Sequence, residues 1–144
     1  MQLTRYTDYT LRTLIYLGTK DGIHTISEIA NAYGISRNHL VKVVHNLGKL
    51  GYIETLRGKT GGIRLAKPPE EINLGVVARE VEPTLDVVEC FSAESNQCPI
   101  APVCGLKGIL HEATDAFFAV LENYRLSDIL KPRNELLLLL GMEN

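Results

Sequence analysis

The apolar positions of this chain change period several times, and each change predicts an element. Thr25-Ile26-Ser27-Glu28 reads as a capping box that opens a short helix through Tyr33, ended by Gly34. Ser36 then caps a second helix that runs to Gly51. On it Leu40, Val43, Val44, Leu47 and Leu50 recur at the three-and-four spacing of a buried face. Its opposite face collects Asn38, Lys42, His45, Asn46 and Lys49, with Arg37 and His39 in the first turn. Upstream, residues 3–18 predict a helix with Leu3, Leu11, Leu14, Ile15 and Tyr16 partly buried. Asp8 and Arg12 stand four apart on it, the spacing of a local ion pair.

Downstream the period shortens. Residues 52–57 and 63–66 read as two short strands around Gly58-Lys59-Thr60-Gly61-Gly62, a hairpin tip able to take positive φ. Pro68-Pro69 breaks the chain, and residues 74–82 predict a short helix stopped by Pro83. Later, Leu106, Ile109, Leu110, Ala113, Phe117, Val120, Leu121 and Tyr124 make a long apolar stripe on one helix. That stripe is either a dimer seam or an intramolecular core, and the leucine run at 136–140 is placed to complete the same core.

The predicted fold is mainly α with a small β-hairpin: a winged helix-turn-helix DNA-binding domain plus a long dimerisation helix. Residues 1–67 form the winged unit, with its recognition helix at about 36–50 and its wing at about 57–64. Residues 68–104 hold a connecting helix and a cysteine loop, and residues 105–144 the dimerisation helix and C-terminal tail.

Charge sharpens this division. Residues 1–67 carry ten Lys and Arg against four Asp and Glu, a net of +6, whereas residues 68–144 carry five against thirteen, a net of −8. Only the front half is built to meet a polyanion. In a helix-turn-helix the second helix enters the major groove, and its first residues reach base edges. Ser36, Arg37, Asn38 and His39 stand where base edges or adjacent phosphates would lie, with Lys42 and Lys49 as phosphate contacts and Arg57, Lys59 and Arg64 on the wing. The partner is thus double-stranded DNA, read by a twofold homodimer on a palindromic operator. The Gly-rich tip lacks phosphate-loop spacing and no helix follows it at once, which excludes nucleotide binding there.

All three cysteines fall in one Pro- and Ser-rich stretch, Cys90, Cys98 and Cys104, spaced C-x7-C-x5-C. Clustered thiols in a chain that has no others point to a metal or cluster, and an odd count argues against a disulfide framework. Zinc with His111 as fourth ligand is one occupant; an iron–sulfur cluster is another. His39 and His45 lie on the face predicted to meet DNA, so no Cys–His pair marks an enzyme. The first twenty residues, interrupted by Arg5, Asp8 and Arg12, do not read as a signal peptide, and no apolar run is long enough to span a bilayer. The chain therefore reads as cytoplasmic, where thiols stay reduced.

Three stretches then carry a resemblance. Tyr33-Gly-Ile-Ser-Arg-Asn-His-Leu-Val-Lys42, Leu47-Gly-Lys-Leu-Gly-Tyr52 and Arg57-Gly-Lys-Thr-Gly-Gly-Ile-Arg-Leu65, followed by three cysteines and a long helix, resemble the winged-helix iron–sulfur regulators. That family includes IscR, RirA and nitric-oxide-sensing repressors, and the resemblance covers essentially the whole chain. It implies a repressor that releases its operator when its cluster is nitrosylated or lost. It also implies that Cys90, Cys98 and Cys104 ligate the cluster, 4Fe-4S preferred over 2Fe-2S, with Asp8 of Tyr6-Thr-Asp-Tyr9 as fourth ligand from the partner subunit. Seven residues separate the first two cysteines, where some members have fewer. That longer loop, and Cys104-Gly-Leu followed by Ala116-Phe-Phe, is similar to the iron-responsive members. Iron or cluster supply is accordingly the alternative signal.

Overall fold

The computed structural model describes residues 2–142; the first residue of the predicted 1–67 unit and the last two of the predicted 105–144 unit lie outside the described residues. Helix α1 (Arg5–Thr19) starts where the Thr4 hydroxyl accepts from the Thr7 amide at 3.3 Å, two residues later than the apolar pattern predicts. Its inner face is not a leucine stripe alone. Thr7, Thr10 and Thr13 are fully buried beside Leu14 and Leu17. Buried hydroxyls need partners. Thr10 and Thr13 donate to the carbonyls of Tyr6 and Tyr9 at 2.8 and 2.7 Å, while Thr7 donates to the Glu82 carboxylate.

Helix α2 (Ile26–Tyr33) has the capping box its sequence predicts. Thr25 Oγ1 accepts from the Glu28 amide at 3.1 Å, and Glu28 accepts from the Thr25 amide at 3.0 Å. Gly34, at φ +65°, ends it in the left-handed conformation that glycine adopts without strain. Helix α3 (Arg37–Lys49) buries Leu40, Val43, Val44 and Leu47, as its spacing predicts, against α1 and α2. Ser36 stands at the N-cap position but makes no capping hydrogen bond. Tyr33 ties α2 to α1, its hydroxyl donating to the Arg12 carbonyl at 3.0 Å.

Strands β1 (Ile53–Leu56) and β2 (Gly62–Leu65) pair antiparallel with Glu54 opposite Arg64 and Leu56 opposite Gly62. Glycine is required at the tip for two reasons. Gly58 sits at φ +106°, and a Cβ on Gly61 would run into the Leu56 carbonyl oxygen. Ile63 also exchanges both backbone bonds with His24, at 2.9 and 2.7 Å, so the linker between α1 and α2 fastens the wing to the body.

Helix α4 (Leu74–Val81) is capped by Asn73, whose side chain accepts from the Val76 amide at 3.0 Å. Helix α5 (Gly105–Glu122) rests on it. Arg79 donates to Glu122 at 2.6 Å, its guanidinium lies 4.7 Å from the Phe118 ring centroid, and a Cβ at Gly75 would collide with the Glu122 backbone. The long stripe is not covered within the chain. Leu106, Ile109 and Val120 are 58, 62 and 57 % exposed, whereas Phe118, one position outside the predicted stripe, is the buried ring. Short helices α6 (Leu126–Ile129) and α7 (Arg133–Leu139) follow. The leucine tail joins the core only through one edge: Leu137 and Leu140 pack on it while Leu138 and Leu139 face out. Among the described residues no helix is long and apolar enough to cross a membrane.

Two measurements test this packing. Leu47 is fully buried, so Leu47→Ala should cost about 2–5 kcal/mol in denaturant unfolding; a change below about 1 kcal/mol would contradict its place in the core. Burial pushes the Tyr33 phenol from 10.0 up to about 12, with the Arg12 cation acting against it. A raised folded value means its contribution is intact below pH 10 and lost as pH climbs to about 12. Ultraviolet titration should therefore lose one tyrosine step near pH 12 in Tyr33→Phe, and stability in that window should fall less steeply.

Candidate functional site

Two groups of residues stand out once the core is removed from consideration. The first is the outer face of α3 with the wing. Ser36, Arg37, Asn38, His39, Lys42, His45 and Lys49 are all exposed, because the buried face leaves them the solvent side of the helix. Arg37 Nε reaches the Ser27 hydroxyl at 3.3 Å, which ties the first turn of α3 to α2. Arg57 and Lys59 project from the hairpin tip, exposed. Arg64 is different: it pairs with Glu54, its cross-strand neighbour, so part of its charge is answered within the wing. Among the described residues Lys42, Lys49, Arg57 and Lys59 have no such partner.

The second group surrounds Asp8 and the cysteine loop. Asp8 grips Arg12 through two contacts, Oδ1 to Nε at 3.0 Å and Oδ2 to Nη2 at 2.8 Å, with both side chains nearly half exposed. A pair this open holds weakly, typically under about 1 kcal/mol. The Arg12 guanidinium also lies 5.8 Å from the ring centroids of Tyr9 and Tyr33, and Tyr9 faces His39 across 6.2 Å. A chain of contacts therefore runs from Asp8 through Arg12 and Tyr9 to the first turn of α3. Sequence reasoning missed Tyr9 and Tyr33 in this role. The i, i+4 spacing of Asp8 and Arg12 was visible, but which rings the guanidinium would meet depends on how α1 packs.

Cys90 lies in a 3₁₀ turn at Glu89–Phe91, Cys98 in an irregular stretch where its amide donates to Asn96 at 3.0 Å, and Cys104 immediately before α5. All three are free thiols and half-buried. Among the described residues no three His, Cys, Asp or Glu side chains converge as a metal-holding group. His111 stacks flat on Phe91, with centroids 3.7 Å apart and planes within 5°, which occupies its ring face beside Cys90. Three accessible soft thiols on a loop free of disulfides, with a loosely held carboxylate on another helix, make a donor set that fits an iron–sulfur cluster. The single chain does not assemble that set.

Another unforeseen residue is Glu82. Its carboxylate accepts from the Thr4 amide at 3.2 Å and from the hydroxyls of Thr4 and Thr7, so the end of α4 holds the start of α1. Nothing local signals a partnership across 75 residues.

Comparison with known proteins agrees with this architecture. Residues 3–132 match the family model Rrf2, described as iron-dependent transcriptional regulator. The chain is 54 % identical to the HTH-type transcriptional regulator NsrR of Halalkalibacterium halodurans and 50 % identical to that of Bacillus subtilis, each over 99 % of both chains. Both relatives are named as transcriptional regulators rather than enzymes. Among solved structures, CymR, titled the global cysteine regulator of B. subtilis, superposes with a TM-score of 0.70 at 25 % identity, covering 90 % of this chain and 96 % of that one. T. potens IscR shares the fold, with a TM-score of 0.72 at 22 % identity, covering 91 % of this chain and 87 % of its own. A winged helix-turn-helix matched over nearly its whole length in this way places the chain in the Rrf2 family of transcriptional regulators.

Proposed function

We propose that this chain is a DNA-binding repressor that senses nitric oxide through an iron–sulfur cluster of the 4Fe-4S type. It acts as a homodimer on a palindromic operator in double-stranded DNA, and releases that operator when the cluster is nitrosylated or lost. The observation that carries this reading is the pairing of three free thiols in one loop with a carboxylate held only by a half-exposed ion pair on the helix that abuts the recognition helix. Support also comes from the 54 % identical relative named HTH-type transcriptional regulator NsrR, and the family resemblance of the recognition helix and wing implies nitric oxide as the signal.

In this reading Cys90, Cys98 and Cys104 hold the cluster in one protomer, and Asp8 comes from the other. The exposed stripe of α5 forms the seam, since leaving Leu106, Ile109, Phe117 and Val120 in water is costly and a twofold partner removes them from it. An iron–sulfur cluster held there by the three thiolates and Asp8 would supply iron that can react with nitric oxide. The chain's own residues do the rest. Asp8, paired with Arg12 in the single chain, would be free of that pair when it serves the ligand set, and Arg12 rests on Tyr9, whose ring faces His39. Two positions of α1 then correspond to two positions of α3 in the major groove, and whichever state of Asp8 prevails biases that pair. Asn38 and His39 read base edges with Ser36 and Arg37, while Lys42 and Lys49 take phosphates and Arg57, Lys59 and Arg64 set the wing against the backbone.

Anaerobic purification with a visible spectrum, iron and zinc analysis, and nitric oxide titration of DNA binding tests this directly. Brown, iron-containing protein whose DNA affinity collapses with nitric oxide is the expected result. Iron-containing protein that ignores nitric oxide but responds to chelation would move the signal to iron or cluster supply. Colourless protein with one zinc per chain would end the sensor reading and leave the DNA reading standing.

Two variants sharpen it. Lys42→Ala should weaken binding to all duplex sequences alike and lower the slope of log affinity against log salt by about one unit for each bound protomer; a loss confined to one base position would make Lys42 a base reader instead. Asp8→Ala should remain folded but hold iron less firmly and respond differently to nitric oxide. An unchanged iron content and response would remove Asp8 from the ligand set.

A further inference from the structure

A cavity of about 310 Å³ opens between the first turns of α1 and the recognition helix, lined by Arg5, Tyr6 and Tyr9 on one side and His39, Lys42 and Val43 on the other. Its walls carry two fixed cations, and no carboxylate lines it. Arg5 and Lys42 are both exposed, and among the described residues neither has a hydrogen-bond or ion-pair partner. Between them stand the rings of Tyr6 and Tyr9, which pack against the core from behind and are therefore held in place. Unanswered positive charge disfavours a cation, and a wholly apolar guest would leave both charges unused. An anionic group joined to a small apolar body meets both demands: charge at the rim and flat aromatic surface inside.

We propose that this cavity receives one sugar–phosphate unit of the DNA backbone, with the phosphate between Arg5 and Lys42 and the deoxyribose against Tyr6 and Tyr9. Arg5, Tyr6 and Tyr9 are then DNA-contacting residues alongside those of α3 and the wing. The inference rests on the DNA-binding reading, because His39 and Lys42 belong to the face that reading sets against the groove. It adds something that reading lacks. The helix that carries Asp8 touches DNA itself, so its position is reported to the duplex without passing through α3 alone.

The test is fluorescence anisotropy of a labelled mixed-sequence DNA duplex, titrated with the full-length protein and its variants across a salt series. Arg5→Ala should lower the slope of log affinity against log salt by about one unit for each bound protomer, Arg5→Lys should restore it, and Lys131→Ala, a cation on the Asp128 side of the molecule, should leave it unchanged. Wild-type binding with an Arg5→Ala slope equal to wild type would overturn the inference alone. An equal drop in Lys131→Ala would overturn it too, by showing a net-charge effect. Wild-type protein that bound no duplex would overturn the DNA reading, and this inference with it.

Discussion

Burial of the inner face of α1 sets where almost everything else sits. Helix α3, strand β2 and helices α4, α6 and α7 all pack against it. Thr7, Thr10 and Thr13 make that crowding possible: they are small, and their hydroxyls are satisfied by the helix's own carbonyls or by Glu82, so neighbours approach without stranding a polar group. A helix buried on one face by so many neighbours moves only if they move with it. Interiors packed at crystal-like density do not absorb a displacement locally. The outer face of the same helix carries Asp8 and Arg12, exposed and bound to each other by a weak pair. Rigid inside and loosely latched outside is the combination a transmitting element needs.

The two ends of the proposed site are tied to this helix from different directions. Glu82, at the end of α4, holds the first turn of α1, and the segment that follows Glu82 leads into the cysteine loop. Arg12 reaches the other way, over Tyr9 and Tyr33, toward the helix pair that presents Arg37, Asn38 and His39. What the single chain leaves open is equally informative. The α5 stripe faces solvent, and among the described residues the three thiols form no metal-holding group; in the proposed reading a twofold partner covers the first and adds Asp8 to the second.

Much of this was readable from spacing. The capping box at Thr25, the buried face of α3, the glycine stops at Gly34 and the hairpin around Gly58 are local signals, and each element formed within two residues of its predicted bounds. The failures share a cause. Thr7, Thr10 and Thr13 read as polar, and only the packing on α1 reveals how they can be buried, Thr10 and Thr13 by back-bonding to their own helix and Thr7 by donating to Glu82. Ser36 reads as a cap, yet no such bond forms. The α5 stripe predicts an apolar face but cannot say what covers it, and Phe118, between two stripe positions, turned out to be the ring that meets Arg79. Glu82 and the rings around Arg12 were invisible because their partners are distant in sequence. The residues proposed to face DNA and the three cysteines could be nominated one by one. Their connection through Tyr9 required the fold.

The central claim is that the state of the cysteine loop and the grip on DNA are one linked equilibrium. The most direct measurement is the affinity of cluster-loaded and cluster-free protein, prepared anaerobically from the same batch, for a duplex selected from a random library by the loaded form. The linked account predicts affinities that differ by at least about fivefold, the lower end of ordinary allosteric coupling. Equal affinities in protein verified to be folded and dimeric in both forms would contradict it, leaving a winged-helix regulator whose cysteines serve something other than the control of DNA binding.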